Sequence, residues 1–190
     1  MYQNKNEVIH MKLVAVLGSS RPDSVSDKLA EQVMEGARSK GYETKVYHVN
    51  DMNLKGCRGC RMCRSREIDC IINDDMKKYF EDLRECEVLL VASPNYFSQV
   101  TGPMITFMNR HYCMSRSDST SRLPAGKKLV GVFSQGAPEA FPRYETVYDW
   151  YLSLFERHMS LAGKIVAGGD TDLSDDGEKM KEAYALGASL

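Results

Sequence analysis

Four of the six cysteines fall within fourteen residues, as Cys57-Arg58-Gly59-Cys60-Arg61-Met62-Cys63 and then Cys70. This C-x2-C-x2-C-x6-C spacing lets three thiolates converge on one side of a tight turn. Gly56 and Gly59 relax the backbone there, and Cys70 is near enough to complete a set of four. Four thiolates are what one [4Fe-4S] cluster requires. The bacterial ferredoxin run has a shorter last gap, a following proline and a fourth cysteine that serves a second cluster. Here the gap is six residues, Ile71 follows and no second set exists, so all four would serve one cluster. Zinc is the rival metal, although structural zinc usually draws on two separated C-x2-C pairs, and four free thiols are the third reading. Lys55, Arg58, Arg61, Arg64 and Arg66 surround the thiols against Glu67 and Asp69. That excess of positive charge favours thiolates, raises the potential of a bound cluster and suits an acidic electron carrier; a merely solvated loop would show it equally. Cys86 and Cys113 lie outside the motif and read as buried small hydrophobes.

Three further loops carry chemistry. Gly18-Ser19-Ser20-Arg21-Pro22-Asp23-Ser24-Val25-Ser26 leads into a helical pattern and offers four hydroxyls, a guanidinium and free helix-start N–H groups. Together these suit a dianionic phosphate. The loop is neither a Walker loop nor a G-x-G-x-x-G fingerprint, which disfavours nucleoside triphosphates and Rossmann-type NAD binding. Its plain alternative is a helix cap from Ser24 or Ser26. In Ser93-Pro94-Asn95-Tyr96-Phe97-Ser98, Pro94 fixes a backbone angle, Tyr96 and Phe97 offer ring surface, and Asn95 and Ser98 offer hydrogen bonds. A flat aromatic ligand fits that set, as would a core or subunit contact. Ser134-Gln135-Gly136-Ala137-Pro138 is a polar turn at another strand end. No side chain stands out as a general acid or base, and His10, His48, His111 and His158 show no metal spacing.

These loops need a frame. Apolar runs predict strands over 12–17, 42–49, 88–92, 128–134 and 164–167. Helical spacing appears over 26–40, 74–85, 102–112, 144–161 and 175–186, the last capped by Ser174 after an acidic turn. Strict alternation predicts a doubly wound α/β fold, with five parallel strands between two helical layers and ligands beyond the C-terminal strand ends. Residues 1–10 read as a flexible arm, and 11–190 as one domain with a cysteine-rich loop at 55–72. The polar stretch 115–127 reads as a lid or an oligomer contact.

With 190 residues, 43% hydrophobic, 27% charged and a formal net charge of -1, the composition is that of an ordinary globular domain. It argues against nucleic acid as a partner. Apolar runs of about five residues fall far short of the roughly 18 needed to span a membrane. The polar start predicts a cytoplasmic protein, where clustered cysteines suggest metal or redox chemistry more than disulfides.

Gly18-Ser19-Ser20-Arg21 with Ser26 before a helix resembles the FMN phosphate loop of the NADPH-dependent FMN reductases, a flavodoxin-like family. That family more often has Gly-Asn where this chain has Ser24-Val25, so an amide side chain is absent from the cradle. Ser93-Pro94-Asn95-Tyr96 is similar to the family's flavin-holding Ser-Pro-x-Tyr segment, and Pro103-Met104-x-x-Phe107-Met108-Asn109-Arg110 to its next helix. The resemblance runs from Lys12 to the C-terminal helix and implies a flavodoxin-like sheet of order 2-1-3-4-5. It implies FMN contacts from Ser19, Arg21, Ser24 and Ser26, from Pro94, Asn95, Tyr96, Phe97 and Ser98, and from Ser134, Gln135 and Gly136.

Within that family the four-cysteine loop, followed by the helix start Asp74-Asp75-Met76, resembles the iron-sulfur flavoproteins. The resemblance implies an oxidoreductase that moves electrons between FMN and a [4Fe-4S] cluster on Cys57, Cys60, Cys63 and Cys70. NAD(P)H, another small molecule or a ferredoxin-like protein would exchange electrons with it, and a homodimer or homotetramer is expected. The alternative is a clusterless NAD(P)H-dependent FMN or quinone reductase.

Overall fold

A run such as Leu13-Val14-Ala15-Val16-Leu17 has no polar face to turn to water, so it forms a strand only where helices cover both sides of the sheet. That is its position in the computed structural model, which describes residues 11–190. The expected arm at 1–10 lies outside the described residues. Strand β1 (Lys12–Leu17) is followed by α1 (Val25–Arg38), β2 (Glu43–His48), the one-turn α2 (Met62–Ser65), α3 (Met76–Glu85) and β3 (Val88–Tyr96). The chain continues with β4 (Gln99–Val100), α4 (Gly102–Arg110), a 3-10 turn at His111–Met114, β5 (Lys128–Ser134), α5 (Pro142–Ser153), β6 (Ser160–Ala167) and α6 (Glu178–Ala188).

Five parallel strands lie in the order β2-β1-β3-β5-β6, which is the expected 2-1-3-4-5 arrangement. A sixth strand was not foreseen: two-residue β4 pairs antiparallel with the far end of β3, so that Tyr96 faces Gln99 across a hairpin. Alternate residues of the central strands feed two cores. Leu13, Ala15 and Leu17 pack with Leu29, Val33 and Met180 under α1 and α6. Val14 and Val16 pack with Phe80, Phe107 and Tyr151 under α3, α4 and α5. The α1–α6 layer is closed backbone to backbone: a Cβ on Gly187 would lie 1.9 Å from the Val33 carbonyl oxygen, and one on Gly36 would lie 2.1 Å from that of Tyr184.

Several boundaries differ from the sequence reading. The helix expected over 144–161 ends at Ser153, and β6 begins at Ser160 rather than 164, because pairing of Ser160 and Leu161 with Lys128 and Leu129 overrides their helical spacing. The last helix starts at Glu178 with Gly177 as its cap and not Ser174. Ser174 closes a turn instead: its carbonyl accepts from the Gly177 N–H, and its own N–H donates to Asp172 Oδ1. Helix α3 starts at Met76, and Asp74 has other partners, described below. None of the helices among the described residues is long and apolar enough to cross a membrane.

Candidate functional site

Parallel pairing puts the expected loops on one rim of the sheet. Leu17 ends β1 between His48 and Ala92, and Pro94 on β3 lies beside Ser134 on β5. The serine loop is tied along its length. The Gly18 N–H donates to the Ala92 carbonyl at 2.8 Å, and the Gly18 carbonyl accepts from Thr101 Oγ1 at 2.9 Å. Asn50 Nδ2 donates to the carbonyls of Gly18 at 3.2 Å and Ser19 at 2.9 Å. A Cβ on Gly18 would stand 2.3 Å from Met104 Cγ, so the loop and α4 meet at a point only glycine fits.

Within the loop the Arg21 N–H donates to Ser19 Oγ, and Ser24 caps α1 by accepting from the Asp27 N–H at 3.3 Å. Ser24 and Ser26 hydroxyls are 3.1 Å apart and both buried, and Ser26 donates to Asp27. Burial raises the Asp27 carboxyl pKa, while the bonds from Ser24 and Ser26 pull it back. Ser20 and Arg21 face solvent at the head of a cavity of about 640 Å³ that runs along α1 to Val46, His48 and Asn50. The start of the 14-residue α1 and the exposed Arg21 guanidinium beside it are the kind of donors that anions take, alongside the carboxylates of Asp23, Asp27 and Glu31 in the same cavity.

The second and third loops are joined by side chains. Asn95 Nδ2 donates to the Tyr148 hydroxyl at 3.1 Å, and that hydroxyl donates to Gln135 Oε1 at 2.8 Å. Ser93 Oγ accepts from the Thr101 N–H at 3.1 Å. Between Tyr96 and Gln99 the chain turns through Phe97 and Ser98 at φ 53° and 66°. Two positive φ values define a type I′ hairpin turn, where Asn-Gly is preferred. Holding Phe and Ser there costs roughly 1–3 kcal/mol each, and the Phe97 side chain lies entirely in solvent. Ser134 and Gln135 are buried, and the Cα of Gly136 opens on empty space. The rim therefore holds an exposed ring on a constrained turn, polar atoms on either side of it and a helix start with an exposed guanidinium at one end.

Sequence reasoning missed Tyr148, Thr101 and Asn50. Thr101 before a Gly-Pro helix start and Asn50 just past a strand were readable as loop ties. Tyr148 sits mid-helix and carried no signal.

The cysteine loop is held differently. Cys57 and Cys60 are exposed, Cys70 is half-buried and Cys63, on α2, is buried, all as free thiols. Burial raises the Cys63 thiol pKa, and Cys70, Cys57 and Cys60 add to the shift. Burial also pushes the Cys113 thiol up to about 12, with Cys63 and Cys70 contributing. Yet among the described residues no three Cys, His, Asp or Glu side chains stand at metal-ligand spacing.

The ends of the loop are anchored by one ion pair. Buried Arg110, the last residue of α4, donates through Nη2 to Asp74 Oδ1 at 3.1 Å, through Nη1 to Asp74 Oδ2, and through Nη1 to the Lys55 carbonyl at 2.6 Å. Asp74 Oδ2 also accepts from the Lys55 N–H at 3.0 Å. Burial alone would raise the Asp74 pKa, but Arg110 and the Lys55 N–H hold it below the usual carboxylate range. The second half of the loop leans on its neighbours. Arg122 donates to the carbonyls of Ile68 and Cys113, and Arg64 donates to the Ser117 carbonyl and packs over Tyr112 at 5.0 Å. Residues 115–127, expected as a lid or oligomer contact, thus pack on the cysteine loop. From Gly56 to Cys60 the hydrogen bond made is local, from the Gly59 N–H to Cys57 Sγ at 3.5 Å.

With this geometry in place, the family model described as NADPH-dependent FMN reductase matches residues 11–171. The chain belongs to that family. It is a flavin-dependent oxidoreductase of a family described by its FMN chemistry. Among curated proteins, an iron-sulfur flavoprotein of Archaeoglobus fulgidus is 30% identical over 179 residues, covering 92% of this chain and 80% of that protein. An iron-sulfur flavoprotein of Methanosarcina thermophila is 25% identical over 162 residues, 85% of this chain and 79% of that protein.

Among solved structures, an NAD(P)H:quinone oxidoreductase from Methanothermobacter marburgensis superposes with TM-score 0.75 at 14% identity, covering 95% of this chain and 97% of that one. A flavodoxin from the domain Archaea gives TM-score 0.57 at 19% identity, with 94% and 95% covered. These likenesses show the fold, which is flavodoxin-like.

Proposed function

We propose that this oxidoreductase is an iron-sulfur flavoprotein, passing electrons between FMN on the sheet rim and a [4Fe-4S] cluster on Cys57, Cys60, Cys63 and Cys70. The observation that carries the reading is the C-x2-C-x2-C-x6-C loop with its four free thiols, whose ends are fixed to the helix that follows the flavin hairpin. The names of the curated relatives support it. The donor set is chemically suited, since soft thiolates are the ligands that such clusters take. One end of α4 touches the serine loop through Gly18 and Met104, and the other carries Arg110, so one rigid element bears on both cofactor positions.

In this reading the α1 start, Arg21 and the hydroxyls of Ser19, Ser24 and Ser26 hold the FMN phosphate. Pro94, Asn95, Tyr96, Phe97 and Ser98 flank the ring on one side, and Ser134, Gln135 and Gly136 border it on the other. The relay from Asn95 through Tyr148 to Gln135 fixes the spacing of the two sides, and the strained turn keeps Phe97 at the ring edge and away from the core. FMN supplies chemistry that exchanges electrons in pairs or singly, and a cluster exchanges them singly. NAD(P)H, another small molecule or a ferredoxin-like protein serves as donor or acceptor; the exposed Arg58, Arg61 and Arg66 suit the acidic surface of a protein carrier. The protein works in the cytoplasm as a homodimer or homotetramer.

Anaerobic purification with an absorption spectrum, an FMN assay and an iron assay tests the reading. About four irons per FMN are expected, the content of one [4Fe-4S] cluster. Flavin without iron under strictly anaerobic conditions overturns it in favour of a clusterless NAD(P)H-dependent FMN or quinone reductase. That second reading is favoured by one observation, the sulfurs standing short of ligand spacing among the described residues.

A further inference from the structure

A second cavity, of about 170 Å³, opens where the end of α4 and the turn after α5 meet the cysteine loop at Arg64. That volume is below the roughly 300 Å³ at which sites for drug-sized ligands begin, so it suits a small group. Buried Met108 and half-buried Leu154 give it an apolar wall, and its charged groups are Arg64 and Arg157. Among the described residues no carboxylate lines it. The cavity along α1 differs, with Asp23, Asp27 and Glu31 in its wall, and so does the one beside Gln135, with Glu139, Glu145 and Glu182. The arginines held in ion pairs among the described residues are Arg38, Arg84, Arg110 and Arg122, so Arg64 and Arg157 have no acid of their own there. Arg64 uses Nη2 for the Ser117 carbonyl at 3.2 Å and Ser119 Oγ at 3.3 Å, which leaves Nη1 and Nε without a hydrogen bond among the described residues. His111 and His158 also line the cavity, and burial lowers the pKa of both, so its positive charge is that of the two guanidiniums. Like charges around one small cavity with an apolar wall repel, and no side chain in the lining offsets them.

We propose that this cavity binds a small dianionic oxyanion, inorganic phosphate or the phosphate of a small monoester, held between the guanidiniums of Arg64 and Arg157 with the Ser115 hydroxyl as a further donor. The planar fork of an arginine matches two oxygens of such an ion, and a charged acceptor makes the stronger kind of hydrogen bond. The buried Ser115 hydroxyl is kept in place by His158, whose Nε2 stands 3.4 Å from it while Nδ1 stands 3.0 Å from Ser121 Oγ. The site is separate from the serine loop, which meets the other end of α4 at Met104. Neither the flavin nor the iron-sulfur reading enters the proposal. Occupancy would have a structural effect, because Arg64 directly follows buried Cys63 and grips the 115–121 turn, whose ends Ser115 and Ser121 are bridged backbone to backbone. An ion on Arg64 and Arg157 ties α2, that turn and the chain after α5 into one unit and slows the local opening of all three.

Inorganic phosphate and glycerol phosphate, each titrated calorimetrically into the full chain saturated with FMN at constant ionic strength in chloride, test the proposal. One saturable site per chain is expected, weakened about 10- to 100-fold by Arg157→Gln and by Arg64→Gln, the worth of a hydrogen bond to a charged group. The tighter of the two ligands names the source of the phosphate. Amide hydrogen exchange over 62–65 and 115–121 is expected to slow with phosphate in wild type and to stay unchanged in Arg157→Gln. Urea unfolding of ligand-free Arg157→Gln should match wild type, because that side chain is exposed. Absence of saturable binding by both ligands overturns the proposal. Binding that both variants keep also overturns it, since the ion then sits elsewhere, as at the serine loop. If the chain takes up no FMN, the flavin reading fails on its own, and the two arginine variants still decide this site.

Discussion

The serine loop and the cysteine loop sit on the same rim and are built by opposite rules. The serine loop is tied at most of its residues: Gly18 by Ala92, Thr101 and Asn50, Ser19 by Asn50, Arg21 by Ser19, Ser24 by the first turn of α1 and Ser26 by Asp27. The cysteine loop is tied at its ends and along its second half, while Gly56 to Cys60, with two of the four thiols, makes only a local bond. An anion is recognised by donors that the helix start must display in any case, so its cradle can be finished in advance. A metal cluster carries part of its own binding free energy into the loop, so the thiols need only be kept near one another until it forms.

The contrast predicts unequal responses to mutation. The largest effect should come from Cys63→Ser, which removes the buried thiol of the set: iron per chain should fall from about four to below one while FMN is retained. Equal loss of both cofactors would mean that the loops are not independent. Next, Arg110→Met alone leaves Asp74 buried without its partner and should cost about 3–5 kcal/mol, whereas the double change with Asp74→Leu should cost little; urea unfolding of the two variants decides. Acid should act on the same side of the molecule.

His111, which follows Arg110, donates through Nδ1 to the Phe107 carbonyl and accepts at Nε2 from the Tyr79 hydroxyl, and burial pushes its pKa down to about 3. Below the ordinary value near 6.5 the unfolded chain therefore binds a proton that the folded chain refuses. Stability should drop by on the order of 3 kcal/mol between pH 6.5 and 4. His111→Phe should flatten that slope; a slope equal to wild type would show that His111 is not its source.

Smaller effects belong to the serine loop, because its ties are redundant. Arg21→Ala should weaken FMN binding by about 10- to 100-fold, the worth of one hydrogen bond to a charged group, read by flavin fluorescence titration with unfolding unchanged. Thr101→Val should cost only about 1 kcal/mol, since Asn50 still serves the Gly18 carbonyl. If Thr101→Val released the flavin as fully as Arg21→Ala, the redundancy would be wrong.

Much of this rim was legible in the residues. β1 and β5 could be read to the residue because unbroken apolar runs admit only a doubly covered strand, and Ser24 could be read as a cap because a hydroxyl before an amphipathic run has few other uses. The start of β6 was not legible: Ser160 and Leu161 follow the apolar spacing of α5, and only the partner strand tells them to extend. The hairpin at β4 was hidden for a related reason, since its turn uses Phe97 and Ser98 where the usual turn residues would have announced it. Asp74 looked like part of a helix start, and nothing local shows that it faces Arg110, thirty-six residues away.

Helix α4 is at once a ruler and a dial. Eight steps along the chain lead from the glycine beside Thr101 to Arg110, about 12 Å at the rise of an α-helix, and each residue also turns the chain by roughly 100°. One inserted residue would lengthen the rod trivially but swing the guanidinium away from both ends of the cysteine loop. A near-complete turn would restore its direction while moving it roughly 6 Å outward. Relatives that differ in the length of this segment should therefore differ by whole turns, or have surrendered the arginine.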